Sequence, residues 1–115
     1  MQTSYFAKYR GNNGVSIARF PPKGYKGRQY TKLAPPTWLL THYKNSGDKY
    51  YYIEHYYSNV LNKLNPQEIY NELGENTVLL CYEKSDGFCH RHLVADWLKG
   101  NLAIDITEID HEKKI

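Results

Sequence analysis

The sequence predicts a single three-layer α/β domain over residues 1–115, with a central, largely parallel sheet flanked by helices. Three observations predict it. Residues 77–82 (Thr77, Val78, Leu79, Leu80, Cys81, Tyr82) are apolar without alternation, the pattern of a central strand covered on both faces. A strand, a helix and a strand then follow in order up to Ile106, which implies a right-handed crossover and parallel pairing. The chain is 115 residues long, with 41% hydrophobic and 23% charged residues, which suits one folded domain and excludes wholesale disorder.

From the N-terminus, residues 3–7 read as a short aromatic strand. Gly11-Asn12-Asn13-Gly14 is a turn signal, and Val15, Ile17 and Ala18 mark a second strand over 15–20. The sequence leaves the pairing of these two strands open. From about 19 to 36 the chain carries Arg19, Lys23, Lys26, Arg28 and Lys32 with no acidic residue, punctuated by Pro21, Pro22, Gly24, Gly27, Pro35 and Pro36. That composition is a long basic loop, and loops of such length usually have a task. Pro35-Pro36 then fits a helix start, with Trp38, Leu39 and Tyr43 at helical spacing up to Ser46-Gly47.

Asp48 can cap the next helix, whose apolar face is expected at Tyr50, Ile53, Tyr57, Val60, Leu61 and Leu64. On that reading Tyr51, Tyr52, His55 and Tyr56 fall off the centre of the face. Asn65, Pro66 and Glu68 give a capped short helix that ends at Gly74. After the strand at 77–82 comes a polar loop, 83–88, and then a helix over 90–99 that packs Leu93, Val94, Trp97 and Leu98 and ends at Gly100. Leu102, Ile104 and Ile106 alternate with polar or small residues and suggest a last strand; residues 111–115 read as a frayed tail.

No apolar run approaches the ~20 residues of a membrane helix, and the first residues lack a signal-peptide stretch, so a cytosolic protein without a membrane partner is expected. The net charge of +3 permits an anionic partner without demanding one. Twelve tyrosines against three phenylalanines suit a chain that lines grooves as well as filling a core. Two cysteines are too few for a disulfide framework, and a reducing compartment argues against a permanent bridge.

In open α/β sheets ligands bind beyond the carboxyl ends of the strands, which here is the stretch from Cys81 to His92. Cys81 ends the buried strand and Cys89 begins the next helix, where free N–H groups and the positive dipole end favour an anion or a thiolate. Three functional readings compete. In the first, Arg91 grips a phosphate and the basic loop adds contacts; its bland counterpart pairs Arg91 with Glu83 or Asp86. In the second, Cys89 is a nucleophile or redox thiol with Cys81 as its resolving partner; its counterpart makes both cysteines inert packing residues. In the third, Cys81, Cys89, His90 and His92 hold zinc, although the spacing is not a standard one and His90 fits a packed position beside Leu93 and Trp97. The tyrosines of 50–57 could stack bases, but the basic residues lie elsewhere in sequence. The chain shows no Gly-rich phosphate motif and names no cofactor.

The stretch Leu79-Leu80-Cys81-Tyr82-Glu83-Lys84 with Cys89-His90-Arg91-His92-Leu93-Val94 resembles the uncharacterised bacterial and phage family catalogued as domain of unknown function 488. Thr3-Ser4-Tyr5-Phe6-Ala7-Lys8 and the residues Tyr25, Lys26, Gly27, Tyr30, Lys32 and Pro35 look like the same family. The resemblance implies a small α/β domain whose site is built from Cys81, Cys89, His90 and Arg91, with Tyr25, Gly27 and Tyr30 paired to the cysteine motif. The resulting expectation is a phosphorylated or nucleotide-like ligand, nucleic acid included, held by Arg91 and the helix N-terminus, with loop residues Tyr25, Gly27, Arg28 and Tyr30 closing over it. The rival expectation is an enzyme using Cys89, Cys81 and His90.

Overall fold

The computed structural model describes residues 1–111. Five short strands, β1 (Gln2–Tyr5), β2 (Gly14–Ser16), β3 (Arg28–Gln29), β4 (Val78–Cys81) and β5 (Thr107–Glu108), form one sheet in the order β3-β2-β4-β1-β5. Every pairing in it is parallel. The two N-terminal strands do not pair with each other, because β4 lies between them: Gly14, Val15 and Ser16 align with Val78, Leu79 and Leu80 on one side, and Gln2 to Tyr5 with Val78 to Cys81 on the other. All four residues of β4 are buried, as its unbroken apolar run requires.

Four helices, α1 (Thr37–Ser46), α2 (Lys49–Asn59), α3 (Pro66–Leu73) and α4 (His90–Leu102), complete the α/β domain. Val15, Ile17 and Leu79 share one core with Leu39 of α1, Tyr52 and Tyr56 of α2, Ile69 and Leu73 of α3, and Val94 and Leu98 of α4. Next to Leu80, on the other side of the sheet, the cover is the Tyr9 ring, which lies close enough that a side chain at Gly14 would strike both. Asp48 and Asn65 cap α2 and α3 through their side chains, and Gly47 closes α1 in the left-handed conformation.

Three expectations change. The buried face of α2 is Tyr52 and Tyr56, while Tyr50 is 86% exposed. The Tyr56 hydroxyl donates to the Leu33 carbonyl at 2.6 Å, and this anchor fixes the rotation of the helix. Helix α4 runs through Gly100 to Leu102 and stops at Ala103, whose φ of 53° is left-handed, so the last strand starts later, at Thr107. The loop from 19 to 36 contains β3, which pairs with β2, and a single 3-10 turn at Thr31–Leu33, whose Leu33 carbonyl accepts from Tyr56. The expected fraying of 111–115 concerns residues that, after His111, lie outside those described.

Candidate functional site

Parallel pairing places the carboxyl ends of β1, β2 and β4 along one edge, and Cys81 is the last residue of β4. Eight residues later Cys89 is the N-cap of α4, in extended backbone with no side-chain capping bond. The intervening turn brings the two sulfurs together as a disulfide. The sequence argued against a permanent bridge, yet strand end and helix start converge closely enough for the two sulfurs to bond.

His90 and Arg91 leave the first turn of α4 in different directions. The His90 ring is buried; its Nε2 lies 2.7 Å from the Ile17 carbonyl and its Nδ1 3.7 Å from Cys89 Sγ. A carbonyl only accepts, so Nε2 carries the proton and the lone pair on Nδ1 faces the sulfur. Burial holds the imidazole neutral, with a pKa lowered to about 4; the Ile17 carbonyl opposes that shift and the charge of Arg91 adds to it. At neutral pH the ring is therefore uncharged, with its Nδ1 lone pair free to accept a hydrogen bond from a thiol, and the same burial makes it a weak base.

Arg91 is fully buried. Its Nη1 donates to Cys81 Sγ at 3.1 Å and its Nη2 to the Lys84 carbonyl at 3.2 Å. Nε and Nη2 also make a two-pronged pair with Glu108 of β5, at 3.0 and 2.9 Å. Burial pushes the Glu108 carboxyl upward, but hydrogen bonds from Arg91, Thr3 and Ser85 and the guanidinium charge outweigh it and hold the pKa near 2. The expected grip of Arg91 on a phosphate does not match this placement, since the side chain is fully buried and each of its three guanidinium nitrogens donates within the protein. The guanidinium is instead a fixed positive charge behind Cys81, which favours that sulfur as a thiolate once the bridge is reduced.

A cavity of about 340 Å³ opens onto the two sulfurs and His90. Its walls include four aromatic rings, Phe20, Tyr52, Tyr82 and Phe88, and Arg19 and Glu83 bring charge to it. Arg19 is oriented by donating to the carbonyls of Pro35 and Ala34 at 3.0 and 3.2 Å. Tyr82 donates its hydroxyl to the Phe20 carbonyl and so ties the start of the basic loop to the end of β4.

The loop residues expected to close over the cysteines lie elsewhere. Arg28 donates to the carbonyls of Glu72 and Leu73, at the C-terminus of α3, and Tyr30 donates to the Glu72 carboxylate. Tyr25 and Gly27 line a separate cavity of about 730 Å³ beyond Tyr82, where the Tyr25 hydroxyl bonds the Arg28 carbonyl. The parts of the loop that line the cavity with the sulfurs are its two ends, Arg19 and Phe20 at the start and Pro35 near the finish. Sequence reasoning missed Glu108, Phe20 and Phe88; only the lone basic-and-aromatic pair Arg19-Phe20 next to a strand end carried a usable signal.

Cys81, Cys89 and His90 also form a group whose donor atoms lie within 4.8 Å of one another; His92 is not part of it. A cation there would compete with the Arg91 guanidinium for the Cys81 sulfur, so the donor set suits a thiol pair better than a metal. Among the described residues no helix is long and apolar enough to cross a membrane.

A parallel α/β domain that ends its central strand and starts the next helix with a cysteine, backed by histidine and arginine, defines the class. Residues 6–102 match the family described as the Active DUF488-N3 subclade, and the chain belongs to that family. Comparison with curated proteins and with solved structures finds no match.

Proposed function

We propose that the protein is a cysteine-dependent enzyme that acts on a nucleotide-like ligand in the aromatic cavity above Cys81 and Cys89. The observation that carries this reading is the buried neutral His90, whose Nδ1 lone pair is aimed at Cys89 Sγ by the bond to Ile17. In the reduced protein the Cys89 thiol donates to Nδ1, which takes the proton only as the sulfur attacks, and the N-terminus of α4 stabilises the developing thiolate. The sulfur forms a bond to an electrophilic carbon of the ligand, and the leaving group departs with its electron pair and takes the proton back from His90; water, giving a proton to His90, then attacks the same carbon, breaks the S–C bond and returns Cys89, which recovers that proton as a thiol. Cys81, its negative form favoured by Arg91 once reduced, is the partner that holds Cys89 in the resting disulfide. Reduction by a dithiol reopens the site.

The ligand assignment rests on the lining. Phe20, Tyr82 and Phe88 offer faces for a planar ring, and Arg19 supplies the anion contact first expected of Arg91. Iodoacetamide alkylation of Cys89 in the reduced protein, followed by peptide mass spectrometry, tests the reading. Nucleoside monophosphates are expected to slow the modification in a saturable manner. Rates that no nucleotide alters at millimolar concentration would overturn the ligand assignment.

A further inference from the structure

We infer that the cysteine cavity is the middle of a track for single-stranded nucleic acid, so that the nucleotide presented to Cys89 belongs to a strand. This rests on the preceding reading of the cavity and names its substrate class. The cavity has neighbours on both sides. Arg19 is a wall it shares with a cavity of about 410 Å³ that holds Trp38 and Lys63. Tyr82 is a wall it shares with the cavity of about 730 Å³ that holds Lys23 and Tyr25.

Charge and aromatic exposure both single out this track. Its three cavities are lined by four basic side chains, Arg19, Lys23, Lys32 and Lys63, and by one carboxylate, Glu83, whereas the chain as a whole has 15 basic and 12 acidic residues. Lys32 is paired with Glu72, but Arg19 is held by two neutral carbonyls, which orient its charge without cancelling it. Large apolar side chains exposed among the described residues are Phe20, Trp38, Tyr50 and Tyr82, and all but Tyr50 lie on the track. The Phe6 ring meets both Tyr82 and Tyr25 edge-on, at 5.0 and 5.4 Å, and stiffens that platform. Rings alternating with cations match bases alternating with phosphates, and only an unpaired strand offers its base faces. A duplex would present phosphates alone and leave the rings without partners.

Fluorescence anisotropy with labelled oligo-dT and oligo-U of about twelve nucleotides tests this, beside thymidine monophosphate and a duplex of equal length. At least one strand is expected to bind about tenfold tighter than the monophosphate, with log affinity falling against log salt at a slope near −2, as about three phosphate contacts require. The double variant Lys23→Gln, Lys63→Gln removes two exposed charges and is expected to lose about tenfold in strand affinity while its circular dichroism stays native. The inference is overturned when neither strand binds tighter than the monophosphate, when the duplex binds as well as the strands, or when binding ignores salt. Protection of Cys89 by the monophosphate with no strand binding removes the track and leaves the thiol site standing. Tight strand binding to a protein whose Cys89 is unreactive upholds the track and removes the chemistry.

Discussion

Replacing Glu108 by Gln removes one negative charge and little volume, and its consequences follow from the pair it breaks. The Arg91 side chain is fully enclosed, and the Glu108 side chain is 19% exposed. Among the described residues Glu108 is the only carboxylate paired with Arg91. Losing one partner of a buried pair costs about 3–5 kcal/mol, because the remaining charge stays buried. The glutamine keeps an oxygen for Arg91 Nε and for the Thr3 hydroxyl, and water reaches the exposed part, which brings the cost below that range, to about 2–3 kcal/mol. For a domain of this size that lowers Tm by roughly 10 °C. Thermal unfolding followed by circular dichroism reads it directly. The loss should also depend on the cysteines. In the bridged form the Cys81 sulfur is neutral, whereas in the reduced form a Cys81 thiolate gives Arg91 a second anion at the 3.1 Å contact. The variant is therefore expected to lose more stability oxidised than reduced. A Tm change under about 2 °C would refute the dependence of Arg91 on Glu108, since it would correspond to well under 1 kcal/mol. Equal losses in the two redox states would refute the thiolate at Cys81.

Acid should destabilise the protein in two windows. His90 takes a proton near 6.5 when unfolded but only near 4 in the fold, so the unfolded chain binds more protons between those values and stability falls as pH drops from 6.5 to 4, by up to about 3 kcal/mol in urea titrations. Glu108 is ionised in the fold down to about 2, against 4.5 ordinarily, so its contribution is present above pH 4.5 and is lost as pH falls toward 2. His90→Gln retains a donor for the Ile17 carbonyl but offers no base to the thiol, and Cys89 alkylation at neutral pH is expected to slow at least about tenfold with the fold retained. Tyr56→Phe leaves the buried Leu33 carbonyl without its 2.6 Å partner and is expected to cost about 1–2 kcal/mol in chemical denaturation, with Cys89 reactivity preserved.

What could be read in the sequence is what local pattern controls. The unalternating run ending in Cys81 marked the central strand, and Cys89 before an apolar helical repeat marked the N-terminus of α4, so the meeting point of the two cysteines was visible. The burial of Arg91 was not, because its partner Glu108 lies 17 residues further on, in an edge strand of two residues outside the family match. Nor was the core face of α2. Tyrosines at 50, 51, 52, 56 and 57 satisfy helical spacing on more than one face, and a tertiary bond to Leu33 chooses among them. Loop residues Arg28 and Tyr30 looked free to reach a ligand because nothing local shows that Glu72 and the end of α3 already hold them.

The account stands most directly on the ionisation of Cys89. Its alkylation rate in the reduced protein, followed by mass spectrometry from pH 4 to 10, should rise with a midpoint well below the ~8.5 of a free thiol. A midpoint at or above that value would show that the start of α4 does not activate the sulfur, and the proposed chemistry would have no nucleophile.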